Sequence, residues 1–218
     1  MAAAEGTGAR TEATTGFDGA AGRVAASVMA RLNRDMEEAA LDLLVPRHGQ
    51  RILVIGFGAG VGIEMLLARC EPASVTGIDP STVMMAATRR RLARDLVRHQ
   101  ASARVTLIAT TLDALALDSL APGEYPFDAA VAVNSHQLWQ PHDVSAGVLA
   151  SVLERGGRLV TVTHDWAIEK RLPLEQWHER VAADLKAAGF AEPTWDRRRY
   201  RSGSGTSLIT TREDRPTV

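Results

Sequence analysis

The feature that most constrains this chain is a regular alternation. Short apolar runs at Arg51–Ile55, Ser74–Ile78, Arg104–Ala109, Phe127–Val133 and Arg158–Thr163 take turns with longer stretches at helical spacing. Glycines bound the first run, and the fourth is almost wholly Ala and Val, as in strands buried on both faces. Val61–Arg69, Thr82–Arg98, Val144–Leu153 and Leu174–Ala188 read as helices, with Gly156-Gly157 and Gly189 as stop signals for the last two. Such an order predicts a doubly wound α/β fold: a mostly parallel sheet with right-handed crossovers and helices on both faces. Thr194–Tyr200 and Thr206–Thr211, joined by Arg201–Gly205, read as a hairpin that adds an antiparallel C-terminal edge, for seven strands in all.

With 218 residues, the chain suits one domain of ordinary size. Residues 1–22 have no apolar period and are expected to form a flexible arm, leaving 23–218 as a single domain. Within it, Arg23–Val45 reads as a helix ended by Pro46, placed as a lid or flank, with an apolar pattern that also suits a homodimer contact. A composition 45% hydrophobic and 23% charged excludes global disorder. A net charge of -1 lacks the basic footprint of a nucleic-acid binder, and the dense Arg197–Arg201 patch reads as a solvated face. The lone Cys70 excludes an intramolecular disulfide. No apolar stretch is long enough to span a membrane and no export signal opens the chain, so the expected location is cytoplasmic.

The loop Gly56-Phe57-Gly58-Ala59-Gly60-Val61-Gly62 follows the first strand and opens a helix. Without Cβ atoms the chain turns sharply and a ligand can lie against bare main chain, facing the free N–H groups of a helix start. In an open α/β sheet this is where ligands bind, beyond the carboxyl ends of the strands. Asp79 ends the second strand, 23 residues after Gly56, where a carboxylate accepts hydrogen bonds from ribose hydroxyls. A dinucleotide fingerprint requires glycine at the sixth position, which is Val61, and no Lys-Ser/Thr pair marks a nucleoside-triphosphate loop.

Ile52–Gly60, Gly77–Ser81, Phe127–Asn134 and Val152–Val160 resemble, in order and spacing, the successive motifs of the class I S-adenosylmethionine-dependent methyltransferases, which have a Rossmann-like fold. Met29–Arg34 and Asn134–Trp139 are similar to the small UbiE-like enzymes within that class. The resemblance implies S-adenosylmethionine as cofactor. Main chain at Gly56, Phe57, Gly58 and Gly60 would hold its methionine end, Asp79 its ribose, and Pro80 and Ser81 would flank its adenine. Asn134 would border the sulfonium and the acceptor. Thr111 stands where the family often has an acidic residue near the adenine amino group, with Leu112 offering main-chain contacts.

The acceptor is expected to be a small-molecule metabolite, methylated on oxygen or nitrogen. Methyl transfer is an in-line displacement that depends first on alignment, and a hydroxyl acceptor also gains from a base. His136 and His164, close to the ends of the fourth and fifth strands, are the candidate bases beside Asn134. Trp139 and Trp166 are candidates to line a substrate pocket. The spacing of His136, His142, His164 and Asp165 matches no compact ligand motif, so no metal is expected. A non-catalytic S-adenosylmethionine-binding partner subunit and a nicotinamide-dependent oxidoreductase remain as alternatives.

Overall fold

A computed structural model describes residues 31–99, 104–120, 122–135 and 142–213. The arm at residues 1–22, the first half of the N-terminal helix, His136 and Trp139 lie outside these. The described elements run α1 (Arg34–Leu44), β1 (Arg51–Ile55), α2 (Val61–Cys70), β2 (Ser74–Ile78), α3 (Thr82–His99), β3 (Arg104–Ile108), β4 (Phe127–Val133), α4 (His142–Val152), β5 (Leu153–His164), α5 (Asp165–Glu169), α6 (Leu174–Ala187), β6 (Thr194–Tyr200) and β7 (Gly203–Thr211).

The strands form one seven-stranded sheet in the order β3-β2-β1-β4-β5-β7-β6. β1 to β5 run parallel, and β7 pairs antiparallel with both β5 and β6, as the alternation predicts. Winding goes outward from β1 to β3 and then returns to β4, so the reversal lies between β1 and β4. Each central strand feeds two cores. Ile52 and Val54 face a cluster with Met36, Leu41, Leu66 and Val160, while Leu53 and Ile55 face one with Phe127, Leu149, Leu159 and Trp177. This two-sided burial is why the strands read as continuous apolar runs. Among the described residues no helix is long and apolar enough to cross a membrane.

Two boundaries differ from expectation. Gly156 and Gly157 do not end a helix; α4 stops at Val152 and β5 begins at Leu153. The glycines form a bulge, since Phe127 pairs with Leu153 but Ala129 with Arg158. Gly156 N–H donates to the Arg212 carbonyl at 2.8 Å and Arg212 N–H to that of Gly157 at 2.9 Å, so β7's end binds the bulged main chain. The hairpin is also tighter: Tyr200 pairs with Gly203, and only Arg201 and Ser202 make the turn.

The described part of the N-terminal helix, α1, lies across β4, β5 and α2. It buries Met36, Ala39, Ala40, Leu41 and Leu44 on the sheet. The Asp35 carboxylate accepts Arg201 N–H at 2.7 Å, tying the helix to the hairpin turn. α1 therefore flanks the tips of β1, β4 and β5.

Candidate active site

At the carboxyl end of β1 the glycine loop is held from three sides. Gly56 N–H donates to the Ile78 carbonyl at 2.7 Å, prolonging the β1–β2 ladder into the loop. The buried Asp79 carboxylate accepts Gly58 N–H on Oδ2 and Ser81 N–H on Oδ1, both at 2.9 Å. Burial raises its pKa above the usual carboxylate range, and the two N–H bonds oppose the shift. These bonds occupy one lone pair on each oxygen, leaving the carboxylate capacity for further donors. Ser81 in turn caps α3, its Oγ accepting Met84 N–H at 3.3 Å.

The third support comes from α3 and was not anticipated from the sequence. Thr88, fully buried, donates its hydroxyl to the Gly58 carbonyl at 2.8 Å. Arg91 donates Nε–H to the Ala59 carbonyl at 2.8 Å and pairs with Glu64 on α2. In an arginine-rich helix Arg91 reads as one more solvated cation. Its i+3 spacing from Thr88 is the signal that sets both on the face toward the loop.

Gly60 starts α2 in a left-handed conformation, φ 77°, and a Cβ there would stand 2.7 Å from Thr88 Cγ2. Main-chain handedness and the packing of α3 both require glycine. Phe57 is a buried core side chain, so any contact it makes with a ligand would be through its main chain. Leu112 is likewise a core side chain, while Pro80, Ser81 and Thr111 are partly exposed beside the tips of β2 and β3.

At the tip of β4, Asn134 has a left-handed φ of 52° and donates its N–H to the Val162 carbonyl at 2.8 Å. Its side-chain Oδ1 accepts His164 N–H at 3.0 Å, and Nδ2 reaches the Met36 sulfur at 3.4 Å. Asn134 thus joins β4, β5 and α1 at the winding reversal. Next to it the buried Ser135 hydroxyl spans the Ile55 and Val133 carbonyls at 2.7 and 2.9 Å.

His164 ends β5. Burial lowers its pKa, partly offset by a hydrogen bond with the Ser204 main chain and by the charges of Asp165 and Asp35. Nδ1 is buried without a partner among the described residues. The His164 ring stacks on Trp166 at 5.6 Å between centroids; Trp166 is 51% exposed, with Lys170 Nζ 4.5 Å from its ring centre. Asp165 is committed to structure, accepting Arg197 at 2.6 Å and the Thr206 hydroxyl at 2.7 Å. Two cations of the Arg197–Arg201 patch are thereby paired, Arg197 with Asp165 and Arg198 with Asp196.

Residues 52–157 match the family model described as a methyltransferase domain. The chain is 25% identical over 170 residues to the uncharacterized methyltransferase YdaC of Bacillus subtilis, covering 78% of this chain and 87% of that one. Among solved structures it is similar to the Haloferax volcanii methyltransferase in complex with the Trm112 activator (TM-score 0.70, 13% identity, 91% of this chain and 97% of that one). It is also similar to N-methyltransferase NodS of Bradyrhizobium japonicum with S-adenosyl-L-homocysteine (TM-score 0.57, 17% identity, 90% of each chain). The matched domain, the order of the sheet and the glycine loop bonded to the acid of the neighbouring strand together support a class I S-adenosylmethionine-dependent methyltransferase.

Proposed function

We propose that the protein transfers a methyl group from S-adenosylmethionine to an oxygen or nitrogen of a small-molecule metabolite. One observation carries the reading: the main chain of the glycine loop is hydrogen-bonded to a buried carboxylate at the neighbouring strand tip, beside the winding reversal. The residues fit an adenosyl sulfonium donor. Asp79 keeps acceptor capacity for ribose hydroxyls, and a Cβ at Gly58 would meet nothing within 4 Å, so space lies open beside the loop. Main chain at Gly56, Phe57, Gly58 and Gly60 would hold the methionine end. Pro80, Ser81, Thr111 and the main chain of Leu112 would border the adenine.

When bound, the donor supplies an electrophilic methyl whose sulfur leaves as a neutral thioether. The protein's part is to align the acceptor and manage its proton. Asn134 sets the tips of β4 and β5 relative to each other and to α1, fixing the acceptor side of the crevice. His164, its pKa lowered by burial, is the candidate acceptor of a hydroxyl proton, and the exposed face of Trp166 offers a platform for a planar substrate. His136 and Trp139 belong to the same reading on sequence grounds.

Thermal shift with S-adenosylhomocysteine tests the donor, because a ligand selective for the folded state raises the Tm. Asp79→Ala is expected to weaken binding at least about 100-fold, the loss of two hydrogen bonds to a charged acceptor. A response to NAD with none to S-adenosylhomocysteine would replace the proposal with an oxidoreductase.

A further inference from the structure

One ionisable group beside the glycine loop has no role in the site as described. Glu37 on α1 turns its carboxyl against Gly62, in the first turn of α2, inside a crevice lined by Leu41, Val54, Gly56, Phe57 and Val133. A Cβ on Gly62 would collide with Glu37 Oε2 and stand 3.1 Å from its Cδ. The fourth glycine of the loop is therefore explained by this carboxyl, which fills the place of the missing side chain. The other walls are apolar, and among the described residues nothing hydrogen-bonds or pairs with it.

The charged groups on the surrounding elements are engaged elsewhere. On α2, Glu64 pairs with Arg91 and Arg69 with Asp42. On α1, Asp35 accepts main-chain N–H groups of Met36 and Arg201, and Arg34 pairs with Glu38. On β4, Asp128 is bound by Arg51 at the opposite end of the strand; on β5, His164 bonds the Ser204 main chain. Across the loop Asp79 is held by Gly58 and Ser81. Burial alone pushes the Glu37 pKa up to about 8. Below that pH this half-buried carboxyl is the neutral acid, and an incoming cation favours its ionised form.

We propose that Glu37 binds the α-ammonium group of the donor's methionine end, giving its own proton to solvent as the ammonium docks. This rests on the S-adenosylmethionine reading above. The ammonium is the cation with N–H donors for a carboxylate, which the sulfonium lacks, and Gly56 and the crevice belong to the part of the loop assigned to the methionine end.

The test is calorimetric titration of the full chain with S-adenosylhomocysteine and with 5′-methylthioadenosine, which keeps the adenosyl thioether but lacks the amino-acid end. Titrations at pH 7 in buffers of different ionisation enthalpy count the protons released. The wild type is expected to release about one proton with S-adenosylhomocysteine and none with 5′-methylthioadenosine. Glu37→Gln should bind S-adenosylhomocysteine at least about tenfold more weakly and release no proton, with unchanged affinity for 5′-methylthioadenosine. Glu37→Asp, which keeps the charge on a shorter arm, should recover part of the loss. Equal weakening of both ligands by Glu37→Gln would make the residue merely structural and overturn the proposal. So would unchanged binding, or tighter binding of S-adenosylhomocysteine, which would make the carboxyl an obstruction. If neither ligand binds the wild type, the donor reading itself fails and this proposal falls with it; if 5′-methylthioadenosine binds normally while the Glu37 effects are absent, only this proposal fails.

Discussion

Two carboxylates on either side of one loop show how much a residue's surroundings decide its chemistry. Asp79 is buried but accepts two main-chain N–H bonds, whereas Glu37 is enclosed by apolar side chains with no donor among the described residues. The second arrangement links stability to pH. The Glu37 pKa is about 8 in the folded protein against an ordinary value of 4.5. A carboxyl whose pKa rises on folding favours the folded state only while protonated. That contribution is complete below pH 4.5 and is eroded as the pH rises toward 8. Glu37→Gln, neutral at every pH, is therefore expected to melt above the wild type at pH 8 and level with it at pH 4. Discounted for partial exposure, the gain is about 1–2 kcal/mol, or roughly 2–6 °C by calorimetry without ligand. A gain of equal size at both pH values would show that packing, not ionisation, is responsible.

At the scale of elements, the loop between β1 and α2 is held by the helix after the next strand. Thr88 and Arg91 on α3 bind the Gly58 and Ala59 carbonyls, and the Thr88 methyl leaves no space for a side chain at Gly60. Gly60→Ala should cost about 2–3 kcal/mol in urea unfolding, combining a left-handed φ with a clash. Thr88→Ala should cost about 1–2 kcal/mol. Because the second change removes the atoms the first collides with, the double variant should be about 1 kcal/mol more stable than the sum of the two predicts. Strict additivity would place the strain in the main chain of Gly60 alone. The Gly156-Gly157 bulge works at the same scale, giving the end of β7 a main chain to bind while β5 stays in register at its functional end.

Across the whole molecule, the amino ends of the parallel strands carry ion pairs and the carboxyl ends carry the candidate site. At the amino ends Arg51 joins Asp128 on β4 to Glu154 on β5, at 3.2 and 3.0 Å. At the carboxyl ends stand the glycine loop, Asp79, Asn134 and His164, with α1 laid against them. Arg51→Gln is expected to lower stability by about 1 kcal/mol, since its ion pairs are partly exposed, and to leave S-adenosylhomocysteine affinity unchanged by titration. Weakened binding would mean that strain at one end of the sheet reaches the other.

Local patterns in the sequence were enough to read the strands, their parallel order and the closing hairpin, because burial on both faces imposes continuous apolar runs and antiparallel edges need short turns. The glycine loop and Asp79 were legible for a related reason: main-chain exposure and a strand-end acid depend on residue type at fixed spacing. Gly156-Gly157 misled, since the same dipeptide serves a helix stop or a strand bulge, and only the pairing of β5 with β4 and β7 distinguishes them. Thr88, Arg91 and Glu37 could not be found along the chain. Each meets the loop from a helix more than 20 residues away, and whether a threonine braces, an arginine bonds a carbonyl or a glutamate loses its charge is decided by what packs against it. Sequence determined which segments could bury themselves and turn; the tertiary structure alone decided which polar groups left water, because desolvation is a property of neighbours brought together in space.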